Sequence, residues 1–245
     1  MRLQPSPSPQ EYGGVELRHL HPPSTTSSWS LTSRLADMSK TFHQLFSPVL
    51  RRITLLLWVV WIGFGWAYYG CILIMPEVLP LNKNGSTPAA DDTSAADNIN
   101  YPALFINSLA EVVAWCIAMY LVERVSRRAL SVVTYIGCGI FLALVAIESP
   151  QGVRLFLTMM ARGCIFIASC TTWIITPELY PTSVRAAGHS WANGVARIGA
   201  FSTSYWGDAT SIPLAGRLMF YAVVSAVAGV ASWALPRETK GRALD

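Results

Sequence analysis

The sequence predicts an all-α membrane protein with six transmembrane helices, and three observations support this fold class. Charged residues make up only 13% of the 245 residues and hydrophobic residues 52%, a composition too apolar for an ordinary soluble domain. Six apolar segments each reach the roughly 20 residues that are needed to cross about 30 Å of hydrocarbon. Lysine and arginine residues concentrate in alternate loops, as the positive-inside rule expects for a multi-pass protein.

The first part of the chain, residues 1–44, is rich in Ser, Pro and Thr and is predicted to be a flexible cytoplasmic arm. Residues 45–245 hold the six spans, predicted at about 53–76, 101–122, 129–148, 153–176, 187–207 and 214–235. The fifth span is the weakest by hydropathy because it contains His189, Asn193 and Arg197. Such a segment is stable in lipid only when other helices surround it.

Loop charges predict that both termini are cytoplasmic. In that orientation the outer flanks carry three basic residues, Lys83, Arg154 and Arg217, and the inner flanks carry eleven. The eleven are Arg34, Lys40, Arg51, Arg52, Arg124, Arg127, Arg128, Arg185, Arg237, Lys240 and Arg242. The longest outer loop contains an Asn-Gly-Ser sequon at Asn84, which has to face the lumen or exterior to be glycosylated. We therefore expect a glycoprotein.

Several classes of function find no support in the residues. The net charge of +4 is modest and its basic residues lie beside apolar segments, which argues against a nucleic-acid partner. All five cysteines lie within apolar segments, where thiols pack as small hydrophobic groups. The sequence has no Walker A, no HExxH, no metal-ligand spacing and no nucleophile motif, so we expect neither an enzyme nor a bound cofactor or metal. It also lacks a repeated, filter-like segment typical of a channel.

Three charged residues lie far enough inside the predicted spans that loop solvation does not explain them, namely Glu111, Arg162 and Arg197. Each costs about 2.5–3.5 kcal/mol on insertion scales if it faces lipid, so each is expected to face protein or water. Two interpretations stay open. Either these residues form structural ion pairs, or at least one of them lines a transport path, and intramembrane charges favour the second.

Helical periodicity places further polar and aromatic residues beside these charges. Asn107, Glu111 and Trp115 recur every fourth residue along the second span. The fifth span has a similar polar and aromatic stripe, His189, Asn193, Arg197, Phe201 and Tyr205, next to a stripe of small residues, Gly188, Ala192, Ala196, Ala200 and Ser204. Small residues at this spacing let helices approach closely. Tyr68 and Tyr69 lie deep in the first span, where aromatic faces suit organic cations or planar substrates.

Four motifs in order then carry a family resemblance. "PELYPTSVRAAGHSWANGVARIGA" resembles the junction of the tenth and eleventh helices of major facilitator superfamily transporters, in the branch of sugar, organic-ion and synaptic-vesicle-related carriers. "LVERVSRR" resembles the loop between helices eight and nine, and "PRETKGRALD" the signature after helix twelve. "LFSPVLRRITLLLWVVWIGFGWAYYG" is similar to helix seven of the synaptic-vesicle-related group. The resemblance covers residues 45–245 and implies the carboxy-terminal six-helix half of a twelve-helix bundle.

The resemblance also implies roles for individual residues. A cytoplasmic charge network that closes the inner side in the outward-facing state would comprise Glu123, Arg127, Arg128, Glu178, Arg185 and Glu238. Tyr68 and Tyr69 match an outer gate, and Trp173 matches a substrate-contacting tryptophan. Together with the intramembrane polar residues, the predicted substrate path is Tyr68, Tyr69, Glu111, Arg162, Trp173, Asn193 and Arg197.

The chain departs from the family pattern in two motifs. It reads "ASCTTW" where a Gly-Pro hinge normally precedes the tryptophan, which weakens the case for a sugar, and Ser126 replaces the usual glycine of the loop motif.

The sequence therefore predicts a secondary active transporter for a small organic ion or sugar, working by alternating access, or the truncated half of one. Glu111 is the candidate group for coupling to a proton or cation. We expect a multi-pass protein of the plasma membrane or an endomembrane vesicle that pairs with a missing six-helix half or with a second copy. The alternatives are a non-transporting membrane interaction protein and a homodimer-forming half-carrier.

The predicted orientation can be tested with single cysteines placed within residues 81–100. A membrane-impermeant thiol reagent should label these cysteines in intact cells that display the protein at the plasma membrane, because eleven inner basic residues against three outer ones put this loop outside. Labelling that requires permeabilisation would contradict the topology. The parent chain with its native cysteines gives the background.

Overall fold

Helices account for nearly all of the backbone in the computed structural model, which describes residues 39–80, 99–147, 149–207 and 212–235. Within these ranges the β pairing is limited to one isolated bridge between Pro80 and Ile99. The described residues from Lys40 onward belong to one compact unit. The predicted all-α class is confirmed.

The helices follow the predicted spans closely. A short helix α1 covers residues 39–45, so the end of the predicted flexible arm is helical. The remaining helices are α2 (Arg51–Leu73), α3 (Met75–Val78), α4 (Tyr101–Arg124), α5 (Arg127–Val145), α6 (Gln151–Leu179), α7 (Arg185–Gly207) and α8 (Leu214–Trp233). Five of them, α2, α4, α5, α6 and α8, are long and apolar enough to cross a membrane. Helix α7 has 23 residues, so its length suffices, but its composition is more polar. Its crossing of the membrane stays a prediction.

Helix ends show where local chemistry sets the boundaries. The side chain of Asn100 accepts a hydrogen bond from the backbone nitrogen of Ala103 (3.1 Å) and caps α4. The first predicted span is split at Ile74, where the chain turns into α3. Helix α6 continues through Pro177 to Leu179, as a membrane helix can where neighbouring helices and hydroxyl side chains satisfy the carbonyl that the proline leaves free.

Packing places α4 and α7 at the edges of the bundle. Helix α2 packs mainly against α7 and α8, α5 lies against α6 and α8, and α4 packs mainly against α6. In its most apolar stretch, 22% of the residues of α4 are buried, against 39–44% in the other four apolar helices. The buried side of α4 is a narrow strip of Ala103, Asn107, Ala110, Ala114 and Ala118. Most of α4 therefore presents an apolar surface to its surroundings.

The contact between α2 and α7 depends on small residues. Gly65 of α2 lies directly against the backbone carbonyl of Ala196, and a Cβ atom at Gly199 of α7 would come within 2.8 Å of the carbonyl oxygen of Ile62. Ala192 and Ala196 are buried on the same side of α7. The backbones of the two helices thus touch directly, as small residues in membrane helices allow.

Replacing Gly65 by Ala should therefore destabilise the bundle by about 1–3 kcal/mol, because the methyl group collides with the backbone of α7. Gly194 on the same helix pair provides the control, since a Cβ atom there meets nothing within 4 Å. Gly194→Ala should be neutral or stabilising by up to about 1 kcal/mol, as expected for glycine in a helix. Thermal unfolding in detergent measures both, and equal effects of the two variants would contradict the close approach.

Candidate functional site

Three helices contribute to one polar cluster. The guanidinium Nη2 of Arg162 on α6 lies 2.9 Å from the carboxylate Oε1 of Glu111 on α4. The hydroxyl of Tyr68 on α2 donates to the same Oε1 at 3.2 Å. Glu111 therefore accepts from both neighbouring helices.

The cluster is partly enclosed. The side chain of Arg162 is 10% exposed and that of Glu111 is 23% exposed. Opposite charges at this distance compensate each other, and removal of one leaves the other costly in an apolar environment. The cluster therefore accounts for two of the three charges deep within the predicted spans, and the side chain of Glu111 remains partly exposed.

Hydrogen-bonding capacity remains unused at this site. The amide oxygen of Asn107, one turn before Glu111, is buried without a hydrogen-bond partner, and so is Nε of Arg162. Buried polar atoms without partners are unfavourable, so this position suits a polar ligand group, an ion or water. Asn107 was absent from the predicted substrate path, although its four-residue spacing from Glu111 indicated a shared helix face.

An aromatic cluster lies nearer the C-terminal end of α6. Buried Trp61 donates through Nε1 to the hydroxyl of Thr176 at 2.9 Å. The ring of Trp173 packs edge-on against Trp61, with centroids 5.1 Å apart, and the ring of His189 lies 5.0 Å from that of Trp173. Trp173 follows Arg162 by eleven residues, which corresponds to about 16 Å along the helix axis. The aromatic cluster is thus distinct from the Glu111 cluster.

Trp173 opens onto a hollow of about 580 Å³. Its lining consists of Trp173, Pro177, Thr182, Arg185, Ala186, His189 and Ser190. This volume lies in the range of about 300–1,000 Å³ that is typical of small-molecule sites. The lining combines an indole, an imidazole, a guanidinium and two hydroxyl groups, which can bind a small polar organic molecule.

Other residues of the predicted path lie outside these two groups. Tyr69 packs edge-on against Tyr68, with ring centroids 5.5 Å apart. Asn193 and Arg197 lie on α7, and Arg197 is exposed and has no ion pair within the described residues. The structure does not bring Arg197 to the pair of Glu111 and Arg162. It lies away from the buried alanine face that contacts α2.

Part of the predicted inner charge network is present as an ion pair. Nη2 of Arg127, at the start of α5, lies 3.2 Å from Oε1 of Glu178 near the end of α6. Arg128 lies over the ring of Trp233 at 5.8 Å and donates to the backbone carbonyl of that residue. Arg185 donates through Nε to the backbone carbonyl of Tyr180 at 3.3 Å.

Two predicted members of the network remain, Glu123 and Glu238. Glu123 is exposed at the end of α4. Glu238 and the sequon residue Asn84 lie outside the described residues.

Tyr180, directly after α6, links α6 to α2 and α7, a role that the sequence did not predict. Its hydroxyl donates to the hydroxyl of Thr54 at 3.2 Å, and Thr54 donates to the carbonyl of Leu45 at 3.0 Å. Its ring also packs on Gly188, where an added Cβ would come within 2.7 Å. Burial raises the pKa of the Tyr180 phenol, which therefore stays protonated and continues to donate at neutral pH. The available signal was its position two residues after Glu178 and directly before Pro181.

The sequence also did not predict an ion pair at the other end of the bundle. Arg217 of α8 pairs with Glu77 of α3, and its side chain is 6% exposed. We had counted Arg217 as a charge of an outer flank. A signal for this pair was present in the sequence. Glu77 directly follows the first predicted span and Arg217 lies near the start of the sixth, and both of these span ends are predicted to lie on the outer side.

Comparison with known proteins agrees with this architecture. Residues 96–245 match the family model described as "Sugar (and other) transporter". Organic cation/carnitine transporter 7 of Arabidopsis thaliana is 33% identical over 202 residues, covering 82% of this chain and 40% of the relative. The synaptic vesicle 2-related protein of Rattus norvegicus is 29% identical over 226 residues, covering 87% and 41%. The putative transporter SVOPL of Mus musculus is 30% identical over 235 residues, covering 87% and 47%.

The chain spans about two fifths of the length of the first of these relatives. Within that span the matches and the helical bundle agree with the family that the four sequence motifs indicated. The chain belongs to the major facilitator superfamily, in the branch of sugar and organic-ion transporters that includes the synaptic vesicle 2-related proteins.

Proposed function

We propose that this chain forms one six-helix half of a secondary active transporter that moves a small organic solute by alternating access. The observation that carries the proposal is the cluster of Tyr68, Glu111 and Arg162, which joins three apolar helices around one carboxylate. Intramembrane charges of this kind mark substrate or ion pathways in membrane proteins. The relative named as an organic cation/carnitine transporter supports an organic ion as the solute.

Glu111 is the residue that we assign to coupling. A proton or a cationic group that reaches Glu111 competes with Arg162 for the carboxylate and weakens the tie between α4 and α6. Tyr68 already donates to the same oxygen, so it orients the carboxylate toward α2. Trp173 and its hollow form the inner part of the same path in this proposal.

A second bundle completes the transporter in this proposal. Alternating access requires one bundle to rock against another. Arg197 on α7 is exposed. Because an arginine that faces lipid is unfavourable, we expect this face of α7 to pack against another protein segment. Helix α4 presents a broad apolar face at the other edge of the bundle. The partner is the missing six-helix half or a second copy of this chain.

A different function uses the same exposed faces. A non-transporting membrane interaction protein would also cover α4 and α7 with a partner. Such a protein would need no solute at Glu111. The two functions therefore differ in whether the cluster of Tyr68, Glu111 and Arg162 binds a solute.

The first experiment measures transport together with assembly size. We expect detergent-solubilised protein from expressing cells to form an assembly larger than one chain, and this assembly should take up a labelled organic ion such as the zwitterion carnitine in proteoliposomes. Glu111→Gln should lower uptake at least about tenfold, since the coupling carboxylate is lost. Glu123→Gln, which removes an exposed carboxylate of the same helix, should leave uptake unchanged.

A double variant separates a coupling role from a purely structural tie. The double variant that carries both Glu111→Gln and Arg162→Gln should regain much of the stability that either change alone removes. It should not regain uptake. Restored uptake would contradict the coupling role. Saturable uptake by a single chain would refute the need for a second bundle, and assemblies inactive toward organic ions and sugars would favour the interaction protein.

The second experiment tests the ion pair of Arg127 and Glu178 as a conformational switch. Glu178→Gln should increase the alkylation rate of a cysteine placed at Ala186, in the wall of the inner hollow, by about two- to fivefold in inside-out vesicles. A partly exposed ion pair contributes about 1 kcal/mol at most, and this energy limits the expected change in alkylation rate to about fivefold. Glu123→Gln is the control for loss of a negative charge at the same end. An unchanged rate in Glu178→Gln would remove the switch from the proposal.

A further inference from the structure

A small cleft lies at the end of the bundle opposite the ion pair of Arg127 and Glu178. It has a volume of about 210 Å³ and lies among α3, α5, α6 and α8. Its wall is apolar and includes Val78, Val145, Leu214 and Leu218. Arg154, in the first turn of α6, provides the charged group of the lining. A cationic group thus lies at the edge of an otherwise apolar cleft.

Arg154 has no protein partner for its charge within the described part of the chain. Its Nε is buried without a hydrogen bond, and the side chain is half-buried. The other arginine at this end, Arg217, is already neutralised by Glu77. Because a guanidinium keeps its charge at all physiological pH values, Arg154 favours an anionic ligand.

We propose that this cleft binds a membrane phospholipid, with the phosphate on Arg154 and a short stretch of the lipid's hydrocarbon against the apolar wall. A guanidinium binds phosphate through two parallel hydrogen bonds. Arg154 lies in the first turn of α6, where the helix dipole also favours an anion. The site therefore combines a phosphate-binding cation with a surface for hydrocarbon.

The small volume of the cleft favours a lipid over a soluble ligand. A volume of 210 Å³ is below the range of about 300–1,000 Å³ for sites that enclose a drug-sized molecule. A lipid needs to place only part of itself in the cleft because its chains remain in the bilayer. Ile147 at the cleft and Val153 beside Arg154 are 63% and 46% exposed, so apolar side chains continue outward from the site.

The test uses the purified 245-residue chain and three probes. Dioctanoyl phosphatidylglycerol at about one hundred times its dissociation constant should raise the melting temperature by about 5 °C. Dioctanoylglycerol, which lacks the phosphate, and inorganic phosphate should each raise it by less than about 1 °C. An equal shift with inorganic phosphate would overturn the lipid assignment in favour of a free anion, and an equal shift with dioctanoylglycerol would remove the role of the phosphate.

Variants connect the shift to the cleft. Arg154→Gln should abolish the shift with the phospholipid, whereas Arg51→Gln, which removes an exposed arginine at the opposite end, should keep it. Ala215→Phe fills the cleft from an exposed position on α8 and should also abolish the shift without disturbing the core. A phospholipid shift that persists in both Arg154→Gln and Ala215→Phe would overturn the proposal.

Discussion

A charged side chain inside an apolar bundle needs a partner, and this constraint organises the structure. Lipid offers no hydrogen bonds, so each intramembrane charge must be compensated by protein or water. Glu111 joins α4 to α6, and the Arg127 pair joins α5 to the end of α6. For α4 the tie matters most, because the rest of its contact with the bundle is a narrow strip of small side chains. The Glu111 pair thus attaches a helix whose other contact with the bundle is limited.

The helical segments were largely predictable from the sequence because the length and hydropathy of an apolar run depend on local composition alone. The start of α4 at Tyr101, the end of α7 at Gly207 and the start of α8 at Leu214 fall at the predicted residues, and the other boundaries differ by only a few residues. The break at Ile74 was not predictable from hydropathy, since apolar residues continue across it. The continuation of α6 past Pro177 was not predictable either, because it depends on neighbouring helices and side chains that satisfy the freed carbonyl.

The site was predictable as a set of residues but not as a set of contacts. Hydropathy identifies Glu111, Arg162 and Arg197 as unusual, but pairing depends on how each helix is rotated about its axis. The structure turns Arg162 toward Glu111 and leaves Arg197 exposed, a difference that no local pattern encodes. Tyr180 escaped attention because a tyrosine in a proline-bounded turn has no distinctive periodicity. Its partner Thr54 lies 126 residues away in the chain.

The direct contact of backbones at Gly65 and Gly199 has a mechanical consequence. Interlocked large side chains resist sliding because each must change rotamer before its helix can move past the other. Two helices that meet at glycine and alanine have few such side chains between them, so small shear displacements along the axis require little repacking. Helix α7 is also the long helix with a charged, exposed face, and its N-terminal half borders the hollow at Trp173. This close contact between backbones therefore lies in a helix pair where a sliding motion would change the shape of the hollow.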